Sequence, residues 1–203
     1  MSLIQIPIEP DFTAVTPAHE ALMADANRRI EDFVRRRKDA PIPAFVPSDA
    51  RMSVAALAAI QRDHLAPQNT FCEWGSGMGV TACLAAQLGF DACGIEIERD
   101  LVEASTDLAE EHGLTIDFVH GSFVPEGGDD LAVDSGEFET LSIGLNPGYD
   151  DLGLDADDFG VIYAYPWPGE EWAVEQLFEA YAARGALLVT YRGREEVFVH
   201  RKG

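Results

Sequence analysis

In the stretch FCEWGSGMGVTACLAAQLGFDACGIEIE, Phe71 to Glu98, a short apolar run is followed by glycines at alternate positions, a helical repeat and a second apolar run. Thr70 to Glu73 begins a strand, and Gly75, Ser76, Gly77, Met78 and Gly79 make a turn. Val80, Cys83, Leu84 and Leu88 then recur at helical spacing, Gly89 ends the helix, and Ala92 to Ile97 forms the next strand. The unit is β-α-β. Alternate glycines after a strand admit positive φ and let a ligand approach the backbone without meeting a Cβ atom. The spacing also discriminates between ligands. A dinucleotide fingerprint needs GxGxxG, and Val80 or Ala82 stands where its third glycine belongs. A P-loop fails too, because no GK[ST] follows.

Elements with alternating strand and helix patterns extend from this unit in both directions. Upstream, Ala18 to Lys38 carries Leu22, Ala26, Ile30, Phe33 and Val34 on one stripe, behind an irregular start broken by Pro7, Pro10 and Pro17. Ala40 to Pro47 holds three prolines and reads as a linker, and Met52 to Asp63 reads as a helix capped by Ser48 or Asp49. Downstream, Leu101 to His112 is a helix closed by Gly113, and Thr115 to Val119 is a third strand. Phe159 to Ala164 is a fourth strand, Glu171 to Ala183 a helix, and Ala186 to Tyr191 with Glu196 to His200 a hairpin turning at Gly193. Between them, Pro125 to Asp157 is a glycine-rich acidic insertion, with FETLSIG as one expected strand or the whole as a lid. The expected fold is α/β, a Rossmann-like, doubly wound, mostly parallel sheet with a C-terminal antiparallel hairpin. Two parts are expected: an N-terminal helical extension, residues 1–45, and one domain over residues 46–203 with the insertion at about 125–157.

The chain has 203 residues, enough for one α/β domain, and its 47% hydrophobic content argues against wholesale disorder. No apolar run approaches a membrane span and MSLIQIPIEPDF lacks a basic start and a long apolar core, so neither a membrane nor a secretory signal is expected. Cytoplasmic location is the default. The formal charge of −22, from 36 acids against 14 Lys plus Arg, opposes duplex nucleic acid as a partner, since phosphate contacts need a basic surface. A small molecule or a protein is the easier partner; oligomeric state is left open. Cys72, Cys83 and Cys93 lack CxxC spacing and lie in apolar contexts, so buried free thiols are expected rather than a disulfide or zinc site. Asp150, Asp151, Asp155, Asp157 and Asp158 do not match DxDxDGxxxxxE, and no metal is expected.

The central stretch also satisfies ExGxGxG, with Glu73, Gly75, Gly77 and Gly79, followed about twenty residues later by Glu96 at the end of the next strand. There the chain resembles the class I S-adenosylmethionine (SAM) dependent methyltransferases. The resemblance covers about residues 46–191 and implies SAM as cofactor. It implies that Glu73 lies near the cofactor's ammonium and that Glu96 accepts bonds from its ribose hydroxyls. Gly75, Ser76, Gly77 and Gly79 then form the turn beside the ligand. A zwitterionic sulfonium ligand with vicinal hydroxyls and no phosphate needs acceptors, and ionised acceptors are the strong ones. Several members carry a segment resembling Phe45-Val46-Pro47-Ser48 beside the cofactor's carboxylate, which makes Ser48 a candidate contact, with helix capping as the alternative. The family's third strand commonly ends in an Asp that meets the adenine amine. His120-Gly121-Ser122-Phe123 departs from this, leaving Ser122 to accept a hydrogen bond and Phe123 to pack on the base.

After the fourth strand, Tyr163-Ala164-Tyr165-Pro166-Trp167-Pro168-Gly169-Glu170-Glu171 occupies the position of the family's substrate loop. Amino-group methyltransferases often carry [DNS]PP[YFW] there; Tyr165 and Trp167 break that pattern. In a doubly wound sheet ligands lie at the carboxyl ends of strands, so Tyr165 and Trp167 are the expected acceptor contacts, with core packing as the alternative. Methyl transfer is an in-line displacement that requires alignment more than a base; Tyr163, Tyr165 and Glu170 are the candidate catalytic groups. The implied activity is methyl transfer to an amine or other nucleophile of a small molecule or protein. The alternatives are a noncatalytic SAM-binding or regulatory protein and another nucleotide-binding Rossmann protein.

Overall fold

The computed structural model describes residues 3–39, 42, 45–133, 146–193 and 196–203. Among them, seven strands form one sheet: β1 (Leu3–Gln5), β2 (Thr70–Trp74), β3 (Asp91–Glu96), β4 (Asp117–His120), β5 (Val161–Ala164), β6 (Leu187–Tyr191) and β7 (Val197–Lys202). Their order is β1-β7-β6-β5-β2-β3-β4. The five strands from β6 to β4 run parallel, β7 pairs antiparallel with β6, and β1 pairs antiparallel with β7. The expected mostly parallel sheet with a C-terminal antiparallel hairpin is therefore the one formed. FETLSIG lies outside the described residues.

Strand order reverses at β2, where the chain first winds toward β4 and then returns to build β5 and β6 on the other side. Right-handed crossovers then put the connecting helices on opposite faces. Along β2 the side chains alternate accordingly. Phe71 faces one core with Val161, Tyr163 and Leu187, beneath Leu57 and Ile60 of α2 (Ala50–Arg62) and Ala82 and Ala85 of α3 (Val80–Gln87). Cys72 and Trp74 face the other core, with Ile162 and Leu188 under Val174, Leu177 and Phe178 of α7 (Glu171–Tyr181). The near-continuous apolar character of β5 and β6, buried at every residue, follows from being covered on both faces. Cys72, Cys83 and Cys93 are buried free thiols.

The N-terminal residues do not form an appendage. Leu3, Ile4 and Gln5 pair with Lys202, Arg201 and His200, adding a seventh strand to the sheet. Thr16 caps α1 (Pro17–Arg36) reciprocally with His19, and Pro17 occupies its first turn, where a missing N–H costs nothing. Leu22, Met23 and Ala26 of α1 are buried against Cys83 and Leu84 of α3 and Leu108 of α4 (Arg99–Glu111). Residues of α1 thus share a hydrophobic cluster with α3 and α4. Short helices α5 (Asp129–Val133) and α6 (Tyr149–Leu152) lie between β4 and β5. No helix among the described residues is long and apolar enough to cross a membrane.

Candidate active site

The glycine turn between β2 and α3 holds left-handed backbone at three alternate positions: Gly75 (φ +67°), Gly77 (φ +54°) and Gly79 (φ +67°). Side-chain-bearing residues meet strain there, which is why the sequence places glycine at each. The turn is pinned to the neighbouring strand by Gly75 and Ser76 N–H donation to the Ile95 carbonyl at 2.9 and 3.0 Å. Gly79 begins α3 without a side-chain cap. Glu73, one strand residue below, supplies what is missing: its Oε2 accepts the Ala82 N–H at 2.8 Å. A carboxylate at a helix start satisfies an orphan donor and complements the dipole. Burial dominates nonetheless and pushes the Glu73 carboxyl up to about 8, with the Ala82 bond opposing the shift and Glu96 adding to it.

Glu96 closes β3 beneath the same turn. Its Oε2 accepts the Gly77 N–H at 2.7 Å and its Oε1 the Glu98 N–H at 2.9 Å. Burial raises this carboxyl above its ordinary range despite both bonds. Each oxygen keeps a second lone pair, so the group can still accept from a ligand.

A cavity of about 370 Å³ opens over the turn at the carboxyl ends of β2, β3 and β5. In a doubly wound sheet this is where strand order reverses and adjacent loops diverge, leaving a crevice. Glu73, Glu96 and Glu98 are its charged wall residues, and no Lys, Arg or His lines it among the described residues. At one end α1 and the segment before α2 contribute Asn27, Ile30, Phe45 and Ser48. Phe45 lies directly over the turn: a Cβ on Gly77 would sit 3.2 Å from its ring. At the other end stand Trp74 and Phe123, stacked at 5.2 Å and 10°, with Ala164, Tyr165, Pro166 and Val174.

Of the residues expected at the cofactor, Ser48, Glu73, Gly75, Ser76, Gly77, Glu96 and Phe123 line this cavity. Gly79 does not; a Cβ there would collide with the Phe118 ring and meet Ser105 at 2.8 Å, so its constraint is packing. Ser122 is likewise absent from the wall, its Oγ accepting the Val124 N–H at 3.1 Å. Asp49, not Ser48, caps α2, accepting from the N–H groups of Arg51 and Met52. Tyr165 is in the wall and packs edge-on against Tyr191. Tyr163, expected among the catalytic groups, is not in the wall. It is buried on the α2 face, and its hydroxyl bonds Ser53 Oγ at 2.8 Å. Ala164 and Tyr165 reach the wall instead, although the Tyr163 hydroxyl lies near the wall residues Ser48 and Thr81. Glu170 is also buried outside the wall, at the start of α7. Trp167 stands outside it too, 36% exposed, beside Pro166.

Sequence reasoning missed Asn27, Ile30, Met78, Ile97, Leu101 and Val174 as wall residues. Ile97 and Met78 carried a signal, since one follows the acid of β3 and the other lies within the glycine turn; the others arrive from helices whose docking no local pattern announces. Asp155, Asp157 and Asp158 bring their carboxylates together on the exposed surface, away from this cavity.

No protein-family model matches the chain, and a search of curated proteins finds no match. Solved structures do. An RNA methyltransferase from Salinibacter ruber, solved in complex with S-adenosyl-L-homocysteine, is similar at a TM-score of 0.52 and 19% identity, over 77% of this chain and 92% of that one. A methyltransferase from Geobacter sulfurreducens matches at a TM-score of 0.52 and 15% identity, over 93% of this chain and 91% of that one. A hypothetical protein from Thermus thermophilus matches at a TM-score of 0.52 and 20% identity, over 80% of this chain and 92% of that one. Together with the strand order and the antiparallel β7, these likenesses identify the fold as the Rossmann-like, seven-stranded fold of class I methyltransferases.

Proposed function

We propose that the chain is a SAM-dependent methyltransferase. The observation that supports this reading is the charge and shape of the cavity: three carboxylates, no cationic side chain among the described residues, and glycine backbone at the ligand's level. A phosphate-bearing dinucleotide would face these acids without a compensating cation, whereas a ligand carrying an ammonium, a sulfonium and two hydroxyls finds acceptors for each donor. The donor set fits SAM.

Bound SAM supplies a methyl carbon activated by the adjacent sulfonium. Glu73, ionised by the approach of the ammonium, holds that end against the start of α3. Glu96 accepts from the ribose hydroxyls with the lone pairs that Gly77 and Glu98 leave free. Ile97 and Leu101 offer apolar walls to the adenine. Phe123, Ala164, Tyr165 and Val174 bound the space from which a nucleophile enters, exclude water and fix its approach. Of Tyr163, Tyr165 and Glu170 only Tyr165 lines that space, in keeping with a displacement whose demand is alignment.

Titration calorimetry with SAM, S-adenosylhomocysteine and NAD tests the reading. Binding of the first two without NAD is expected; NAD binding alone would overturn it in favour of another nucleotide-binding activity. Binding of SAM with no transfer to any acceptor would leave a noncatalytic SAM-binding protein.

A further inference from the structure

Resting on the methyltransferase reading, we propose that the methyl acceptor is a lysine side chain of a basic polypeptide that docks on the surface bearing the exposed Trp167 and Trp172.

Cavity size is the first observation. Small-ligand pockets span roughly 300–1,000 Å³, and about 370 Å³ accommodates one such ligand with little to spare. With the cofactor in place, the acceptor reaches in with a narrow group and leaves the rest of its molecule outside. The outer surface at that end is unusual for a water-facing one. Pro166 and Val174 are in the wall, and their near neighbours Trp167 and Trp172 are 36% and 49% exposed. Exposed tryptophans so close in sequence to wall residues are recognition surface more readily than idle surface, because each offers a large rigid apolar area.

The charge around this surface selects the partner. Among the described residues from Gly121 to Ala183 there are twelve acids and no Lys, Arg or His. Residues of α6 and α7 pack with Trp74, and the cations that reach α7 from outside, Arg192 on Glu175 and Lys202 at the carbonyls of Ala180 and Ala182, offset only part of that charge. Such a field attracts a polycation and repels nucleic acid. A lysine chain also suits the slot, four methylenes passing between Phe123, Pro166 and Val174. Its ammonium loses one proton to solvent on entering these apolar walls, which disfavour the charged form. The neutral nitrogen's lone pair forms the N–C bond to the methyl carbon. The C–S bond breaks with its electron pair going to sulfur, so the sulfonium becomes a neutral thioether and the product leaves as a methylammonium. Arginine's delocalised and persistently protonated guanidinium is a far weaker nucleophile unless a base takes its proton, and no such base of the candidate set other than Tyr165 lines the cavity.

Methyl-labelled SAM incubated with poly-L-lysine, poly-L-arginine or free lysine provides the test, alongside calorimetry of SAM binding. Label is expected on poly-L-lysine alone, with a KM that rises with salt. Trp167→Ala with Trp172→Ala should lower kcat/KM for poly-L-lysine at least tenfold and leave the SAM Kd within twofold. Trp172→Gln, at an exposed helix position, gives the same direction of change without risk to the core. SAM binding with no label on poly-L-lysine, equal labelling of free lysine, or an unchanged kcat/KM in both variants would overturn the polypeptide acceptor. Absence of SAM binding would instead overturn the methyltransferase reading itself.

Discussion

Glu73 sits at the junction of helix start and cavity floor, and its two tasks conflict when no cation is bound. Its carboxyl, ordinarily near 4.5, is pushed up to about 8 by burial, so the folded chain keeps a proton that the unfolded chain releases. The unfolded state binds fewer protons between those values, so Glu73's contribution to stability falls as pH rises from about 4.5 to about 8. Glu73→Gln keeps an oxygen for the Ala82 N–H and removes this loss. The variant should therefore match the parent in urea at pH 4.5 and exceed it at pH 8, while SAM binding weakens by about 1.5–3 kcal/mol. A variant less stable than the parent at pH 8 would show that the carboxylate is charged and well paired. In the parent, SAM affinity should climb with pH and level off above about 8, because the ligand's ammonium binds the ionised group. Gly77 and Gly79 make a second contrast at this scale. Gly79→Ala combines left-handed strain with overlap onto Phe118 and should cost about 2–5 kcal/mol of stability. Gly77→Ala meets only the Phe45 ring, so its stability loss should be smaller and its loss of SAM affinity larger. Equal effects from both on thermal melting would remove the distinction.

At the scale of elements, β5 delivers two consecutive residues to different places. Ala164 borders the cavity, whereas Tyr163 ties β5 to α2 through Ser53, whose Oγ also donates to the Asp49 carbonyl at 3.0 Å. Tyr163→Phe deletes one buried bond and leaves Ser53 satisfied, so about 1 kcal/mol of stability should be lost with turnover unchanged. A tenfold fall in kcat at unchanged stability would restore Tyr163 to a catalytic role. The strand's period of two separates this pair, sending Ala164 to the α7 face and Tyr163 to the α2 face.

For the whole molecule, the charge of −22 is the dominant global property. Arg29, Arg37, Arg51, Arg62 and Arg192 are each committed to an acid, yet most acids have no such partner available, since 36 face 14. Self-repulsion on that scale destabilises the compact state and is relieved by counterions. Thermal stability should rise steeply with sodium chloride from about 0.01 M, where screening extends roughly 30 Å, to about 1 M, where it extends roughly 3 Å. A flat or falling Tm over that range would mean that the charges are spaced widely enough not to interact.

Local chemistry determined much of this protein before any contact formed. ExGxGxG specifies its own backbone, because only glycine takes φ near +60° at three alternate positions without strain, and Glu96 follows at a distance set by one helix and one strand. Strand periodicity and helix caps likewise located the parallel sheet and the closing hairpin, since both are properties of neighbours in sequence. Tertiary structure decided what those patterns do not encode. That Leu3 to Gln5 completes the sheet depends on β7, at the far end of the chain. That Asn27, Ile30 and Phe45 roof the cavity depends on how α1 docks on α3. Which of Tyr163, Ala164 and Tyr165 meets the ligand depends on which face of β5 each helix covers. Burial and docking are sums over distant partners, and a side chain's place in them is settled only when the whole chain has packed.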